Sequence, residues 1–232
     1  STPFLCRFST AGNNPTAPGL KAPVRSLAFV LNRGTNQEWR VAMNTPPVMA
    51  VATPDAFFEQ LLALAPDPVT KKRDPSKIKA FFASHPESKA FINWKTNYVP
   101  TNSFATERYH SINAFYLVDE NGRKQAVRWV AVPQTVEQSL PALDLNSPDA
   151  LQQQLSQLLA GETVKFDMIF SLADDSDDEN NPTIPWPSNR KTINAGTLEV
   201  TNWESQETGK CSQMNFDPLV LPNGIEATAD PI

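Results

Sequence analysis

Histidine and cysteine are nearly missing from this chain, with two of each in 232 residues. His85 and His110 are too few for a His-rich metal centre, so that chemistry is excluded by inventory. Cys6 and Cys211 cannot make a disulfide framework, and neither stands in a C-x-x-C or Cys/His spacing suited to zinc or an iron–sulfur cluster. A buried or free thiol and a single bridge are the two readings left for that pair. Also absent are the G-x-S-x-G elbow of the serine hydrolases and the G-x-x-x-x-G-K-[ST] phosphate loop. Basic clusters stop at Lys71-Lys72-Arg73, and 25 acidic against 20 basic residues leave a formal charge of -5. Phosphate-backbone attraction therefore has no footing, and nucleic acid is not an expected partner. No apolar run approaches the roughly 18 residues of a membrane span, so no membrane partner is expected. The first residues lack the charged, apolar, small-residue order of an export leader.

Glycine is scarce as well: eight, against 21 prolines. That ratio describes many short elements joined by stiff, irregular connections, which suits β-rich architecture better than a helix bundle. Ser26 to Leu31 and Trp39 to Met43 read as a strand pair around Asn32-Arg33-Gly34. Ile112 to Val118 and Ala126 to Val132 flank Glu120-Asn121-Gly122, where Asn-Gly suits a two-residue type I′ turn. The run from Ala114 to Val118 is apolar on both faces, as for a strand lining a barrel on one side and covered by helices on the other. Val164 to Leu172 and Thr197 to Thr201 are later strands. Three helices are marked. Thr53-Pro54 opens one carrying Phe57, Leu61 and Leu64, and Asp74-Pro75 opens one carrying Ile78, Phe81 and Phe82. Ser147 as N-cap with Pro148 opens the third, whose Leu151, Leu155, Leu158 and Leu159 form a packing stripe closed by Gly161.

Between Asp174 and Asn181 runs an acidic stretch without the mid-loop glycine or closing glutamate of an EF-hand, so it reads as a solvated loop. Pro182 to Pro187 follows with restricted φ and threads the surface.

A set of strings in fixed order carries a family resemblance: Arg7-Phe8-Ser9-Thr10, Asn44-Thr45-Pro46-Pro47-Val48, Asp74-Pro75 with Phe81 and Pro86-Glu87-Ser88, and Tyr109 through Phe115. Trp186-Pro187, Phe216-Asp217-Pro218 and Gly224-Ile225-Glu226 complete it. Colinear over nearly the whole chain, they resemble the small catalase-related haem peroxidases of the catalase superfamily. The resemblance implies an α+β fold, a catalase-like antiparallel β-barrel with helical insertions, as one domain over residues 1–232. It implies a b-type haem whose iron is held by a tyrosinate, with peroxide and a small reductant as partners.

Residue by residue, Asn44 matches the distal asparagine, whose amide can donate a hydrogen bond to peroxide without competing for iron; on local sequence alone it is a turn-forming Asn before Thr-Pro-Pro. Arg7 matches the arginine that pairs with a haem propionate, a role suited to a permanently charged fork; the other reading is a solvent-facing strand arginine. Ser9, on the same strand face as Arg7 by alternation, matches the serine that steadies the distal histidine. Phe57 matches the aromatic that packs on the macrocycle, and as a helix-face Phe it also reads as core. His110 falls in a segment the family keeps away from the distal face, and His85 at a helix end; both read as structural or surface residues. No metal ligand is assigned. By resemblance the distal histidine lies upstream of Ser1 and the ligating tyrosine downstream of Ile232, so the 232 residues are expected to be a core of a longer enzyme with weak haem affinity alone. The alternative expectation is a non-catalytic catalase-like barrel binding an apolar ligand or a protein.

Overall fold

A computed structural model describes residues 1–11, 19–137, 140 and 142–232. Nine described strands form one antiparallel sheet: β1 (Phe4–Thr10), β2 (Arg25–Leu31), β3 (Trp39–Asn44), β4 (Tyr109–His110), β5 (Phe115–Val118), β6 (Lys124–Pro133), β7 (Val164–Leu172), β8 (Thr192–Val200) and β9 (Ile225–Ala227). The order runs β1-β2-β3-β4-β6, with β5 and β9 beyond β6 and with β7 and β8 paired outward from it. Lying between them are α1 (Pro54–Leu64), α2 (Pro75–Ser84), α3 (Lys89–Asn97) and α4 (Ala150–Leu159). The mixed α+β class is as expected; a closed barrel is not what the ladders form. Among the described residues β1 pairs only with β2, and β8 only with β7, so the sheet is open.

The open sheet nevertheless curls, because period-two alternation puts one apolar face on every long strand. Phe8 on β1 brings its ring within 6.1 Å of Phe166 on β7, and within 5.5 Å of Phe104. Leu27, Phe29, Val41, Met43, Tyr109 and Trp129 join this concave core, which α4 completes with Leu151, Leu155, Leu158 and Leu159. Side chains rather than a further ladder fill the hollow, and that is where the barrel expectation departs from the structure.

Thr53 and Asp74 cap α1 and α2 as their sequences predict, accepting from Ala56 N and from Ser76 N. On α1, however, the buried positions are Ala56 and Gln60; Phe57 and Leu61 face outward, at 38% and 52% exposure. The helix α4 begins two residues later than expected, capped at Asp149, because the Ser147 hydroxyl instead accepts from Asp149 N within a turn. The β5–β6 turn also differs. Asp119 N donates to Arg123 O, leaving Glu120, Asn121 and Gly122 as a three-residue loop in which Gly122 alone has positive φ, 76°. A type I′ turn needs positive φ at two successive residues; here Asp119 Oδ1 accepts from Asn121 N and Arg123 N and selects the longer loop.

Candidate functional site

The face of β1–β3 opposite the packed core carries small and polar residues. Cross-strand register aligns Ser9 with Ser26, Ser26 with Asn44, and Asn44 with His110, giving one polar row across four strands. Directly opposed residues of antiparallel strands share a face. One step along, Arg7 aligns with Ala28 and Ala28 with Ala42, so two methyl groups adjoin the row, Ala28 buried and Ala42 half-buried. Three of the sequence-predicted residues, Arg7, Ser9 and Asn44, are thereby brought together on one side of the sheet. Phe57 is not: it lies on the exposed face of α1, and among the described residues no ring contact links it to the row.

In the row, the Ser26 hydroxyl donates to Asn44 Oδ1 at 2.5 Å, and among the described residues the Asn44 amide nitrogen has no acceptor. The backbone next to Asn44 is held firmly. Thr45 N donates to Arg25 O at 2.9 Å, Arg25 N donates to Thr45 Oγ1 at 3.1 Å, and the Thr45 hydroxyl donates to Pro23 O. Behind this pair the fully buried Arg25 guanidinium meets Glu107 at 2.7 Å and Thr101 O at 2.7 Å, while Tyr98 OH donates to Glu107 Oε2.

Arg7 is half-buried, with its guanidinium carbon 4.7 Å from the Phe216 ring centroid. Cys211, Met214 and Phe216 pack there against Ala28, Val30 and Leu5. No carboxylate among the described residues pairs with Arg7. Both cysteines are free thiols, so the single-bridge reading is set aside. Cys6 points into the concave core while Cys211 lies on the other face, donating its S–H to Cys6 O. Burial pushes the Cys6 thiol up to about 12, which makes it inert as a nucleophile.

His110, read from the sequence as structural, sits across the β3–β4 ladder from Asn44. Its Nδ1 lies 3.0 Å from Thr45 O; a carbonyl only accepts, so the neutral ring carries its proton there and keeps the lone pair on Nε2. Desolvation lowers the His110 pKa from 6.5. As pH falls through 6.5 the unfolded chain therefore takes up a proton before the folded one, and stability is lost until the folded ring is protonated too. Denaturant unfolding is expected to show the parent losing stability relative to His110→Asn between pH 7.5 and 5.5; a gap independent of pH would contradict this placement.

Just past His110 the chain leaves the sheet. Buried Ile112 has a φ of 65°, a costly conformation for a β-branched residue. The kink is secured by Ser111, whose hydroxyl donates to Asn113 O and accepts from Trp129 N. It turns Asn113 toward Asp230 and Ile232 O, which accept from its amide at 2.9 Å and 3.0 Å. The acidic 174–181 stretch is the largely exposed loop expected, pinned at Asp177 and Asn181. Arg190 grips Asp177 at 2.7 Å, holding that carboxyl below its usual range, and Arg128 donates to Asn181 O and Ile184 O over Trp186. Among the described residues no cluster of His, Cys, Asp and Glu could hold a metal ion.

With the geometry in place, comparison with known proteins decides the lineage. A family model described as Catalase matches residues 1–232. The chain belongs to the catalase family. It is 38% identical to a catalase-related peroxidase of Synechococcus elongatus, covering 100% of this chain and 69% of that relative. A catalase-related peroxidase of Mycolicibacterium paratuberculosis is 28% identical, with 100% and 74% covered. Catalase isozyme 1 of Nicotiana tabacum is 24% identical, with 99% and 49% covered.

Ser26 escaped the sequence reading because its place beside Asn44 depends on register. Counting outward from the Leu31–Trp39 pair places Ser26 opposite Asn44, but that count requires knowing that residues 32–38 close the hairpin.

Proposed function

We propose that this catalase-family chain forms the distal floor and propionate side of a b-type haem pocket in a peroxidase that reduces hydrogen peroxide or organic peroxides with a small reductant, its curled sheet serving as the wall of a catalase-like barrel. The polar row with Arg7 beside it is the observation that carries this reading. A planar apolar group needs a smooth surface, and half-buried Ala42 leaves a small one beside the row, while Ala28 lies under Cys211 and Phe216. A half-buried guanidinium with no carboxylate of its own fits a propionate, since such a cation retains a strong preference for a charge-assisted partner. Bound haem would supply the redox-active iron at which peroxide is reduced. Around it, Asn44 presents N–H donors to a peroxide oxygen, orienting the molecule; an amide does not titrate near neutral pH, so Asn44 aims the substrate and moves no proton. Ser9 adds a hydroxyl at the end of the row, and Phe57 offers an exposed ring for contact with the macrocycle.

Haem titration followed by Soret absorbance tests the assignment. Arg7→Leu is expected to weaken haem binding by roughly tenfold, the scale of one partly solvated charge-assisted hydrogen bond, without altering the fold by circular dichroism. An unchanged affinity would remove Arg7 from the pocket and, with it, the orientation proposed for the macrocycle.

A further inference from the structure

We propose that Ser26 is a positioning residue that aims the Asn44 amide. The inference rests on the role given to Asn44 above and adds the device that makes that role specific. A carboxamide is nearly symmetric in shape but not in chemistry: one end accepts, the other donates two hydrogen bonds. Rotated by half a turn, Asn44 would present a lone-pair oxygen to the substrate and lose its donors. A hydroxyl can donate or accept, and here the Ser26 hydroxyl donates, which breaks the symmetry. It sits directly across the β2–β3 ladder from Asn44 and donates to Oδ1 at 2.5 Å, which occupies the acceptor end and leaves the NH2 end outward.

Two features keep this contact in place. Just beyond the ladder, Thr45 N donates to Arg25 O and Arg25 N donates to the Thr45 hydroxyl, so the approach of Ser26 and Asn44 is fixed by neighbouring bonds rather than by their own side chains. On the far side of Asn44, His110 Nδ1 donates to Thr45 O, holding β4 against β3. A hydroxyl on a short, single-χ side chain loses little rotamer freedom on being held this way. The role is thus one of orientation, and Ser26 itself needs no contact with peroxide.

The test combines side-chain NMR of the 232-residue chain with peroxide kinetics of the protein carrying haem. Asparagine-selective 15N labelling, with Asn44→Ala to identify the resonance, gives the Asn44 carboxamide signal. Ser26→Ala is expected to displace that signal and to lower kcat/KM for peroxide about fivefold, the scale of one lost hydrogen bond. Ser26→Thr, which keeps the hydroxyl, is expected to restore both, and Ser26→Ala is expected to have no further effect when Asn44 is already alanine. A purely structural role for Ser26 would leave that last variant additive. An Asn44 signal unmoved by Ser26→Ala overturns the proposal. Kinetics that respond to Asn44→Ala but not to Ser26→Ala overturn it while sparing the assignment of Asn44. Kinetics indifferent to Asn44→Ala remove that assignment first, and the positioning role falls with it.

Discussion

Replacing Asn44 with alanine is expected to slow peroxide consumption about a hundredfold, the loss seen when one preorganised donor is deleted from a reacting centre. The size follows from geometry. The amide nitrogen has no acceptor among the described residues, so its donors are kept for something outside the chain, and no reorganisation is needed when a substrate oxygen arrives. Stability should hardly move. Asn44 is only half-buried, and Ser26, also half-buried, can exchange its lost acceptor for water, so a shift within about 0.5 kcal/mol is expected. Asn44→Asp should be at least as slow, since a carboxylate turns both donors into acceptors. Stopped-flow peroxide kinetics beside a melting curve would check this, and an Asn44→Ala protein of normal rate would sink the distal assignment.

The second large effect falls on stability. Glu107→Ala is expected to cost about 3–5 kcal/mol, because it strands Arg25 as an uncompensated buried cation. For a chain of this size that corresponds to a fall in Tm of roughly ten degrees or more. Arg25 is 0% exposed and Glu107 2%, and the pair is held further by Thr101 N, Tyr98 OH and Leu20 O. Replacing both charges by Met and Leu should cost much less than the single change, since no unpaired charge remains. The clamp also reaches the site through the hydrogen bonds between Arg25 and Thr45, so Glu107→Ala should impair peroxide turnover in whatever protein remains folded. A single variant as stable as the double would show that the pair is solvated in solution.

Much of the local structure is legible in the sequence. The strand Val164–Leu172 appears with its expected bounds, since Val164, Phe166, Met168, Phe170 and Leu172 recur at every second position. Helices α1 and α2 start where Thr53 and Asp74 stand before proline, a cap that requires no knowledge of the rest of the chain. By contrast α3 was missed: Lys89–Asn97 has no fully buried residue and no capping side chain, so nothing periodic announced it. The β5–β6 loop misled because Asn-Gly suits a shorter turn, and the competing Asp119 carboxylate lies just before it. On α1, apolar spacing marked Phe57 and Leu61 as an inner stripe, but which side of a helix is covered depends on what packs there, and here it is Ala56 and Gln60 that α1 buries.

For the site, residue chemistry and strand alternation carried the argument part of the way. That Arg7 and Ser9 share a face follows from the two-residue repeat of an extended chain, and that an arginine and an asparagine can bind a propionate and a peroxide follows from their atoms. Neither consideration reaches across strands. The meeting of Ser9, Ser26, Asn44 and His110 in one row arises from three successive ladders, the last joining Asn44 to His110 across a long stretch of chain, and a slip of one residue in any of them would turn its partner into the packed core. Local physics assigned the parts; long-range register brought them together, because hydrogen-bond pairing between distant strands is set by how the whole apolar face is buried.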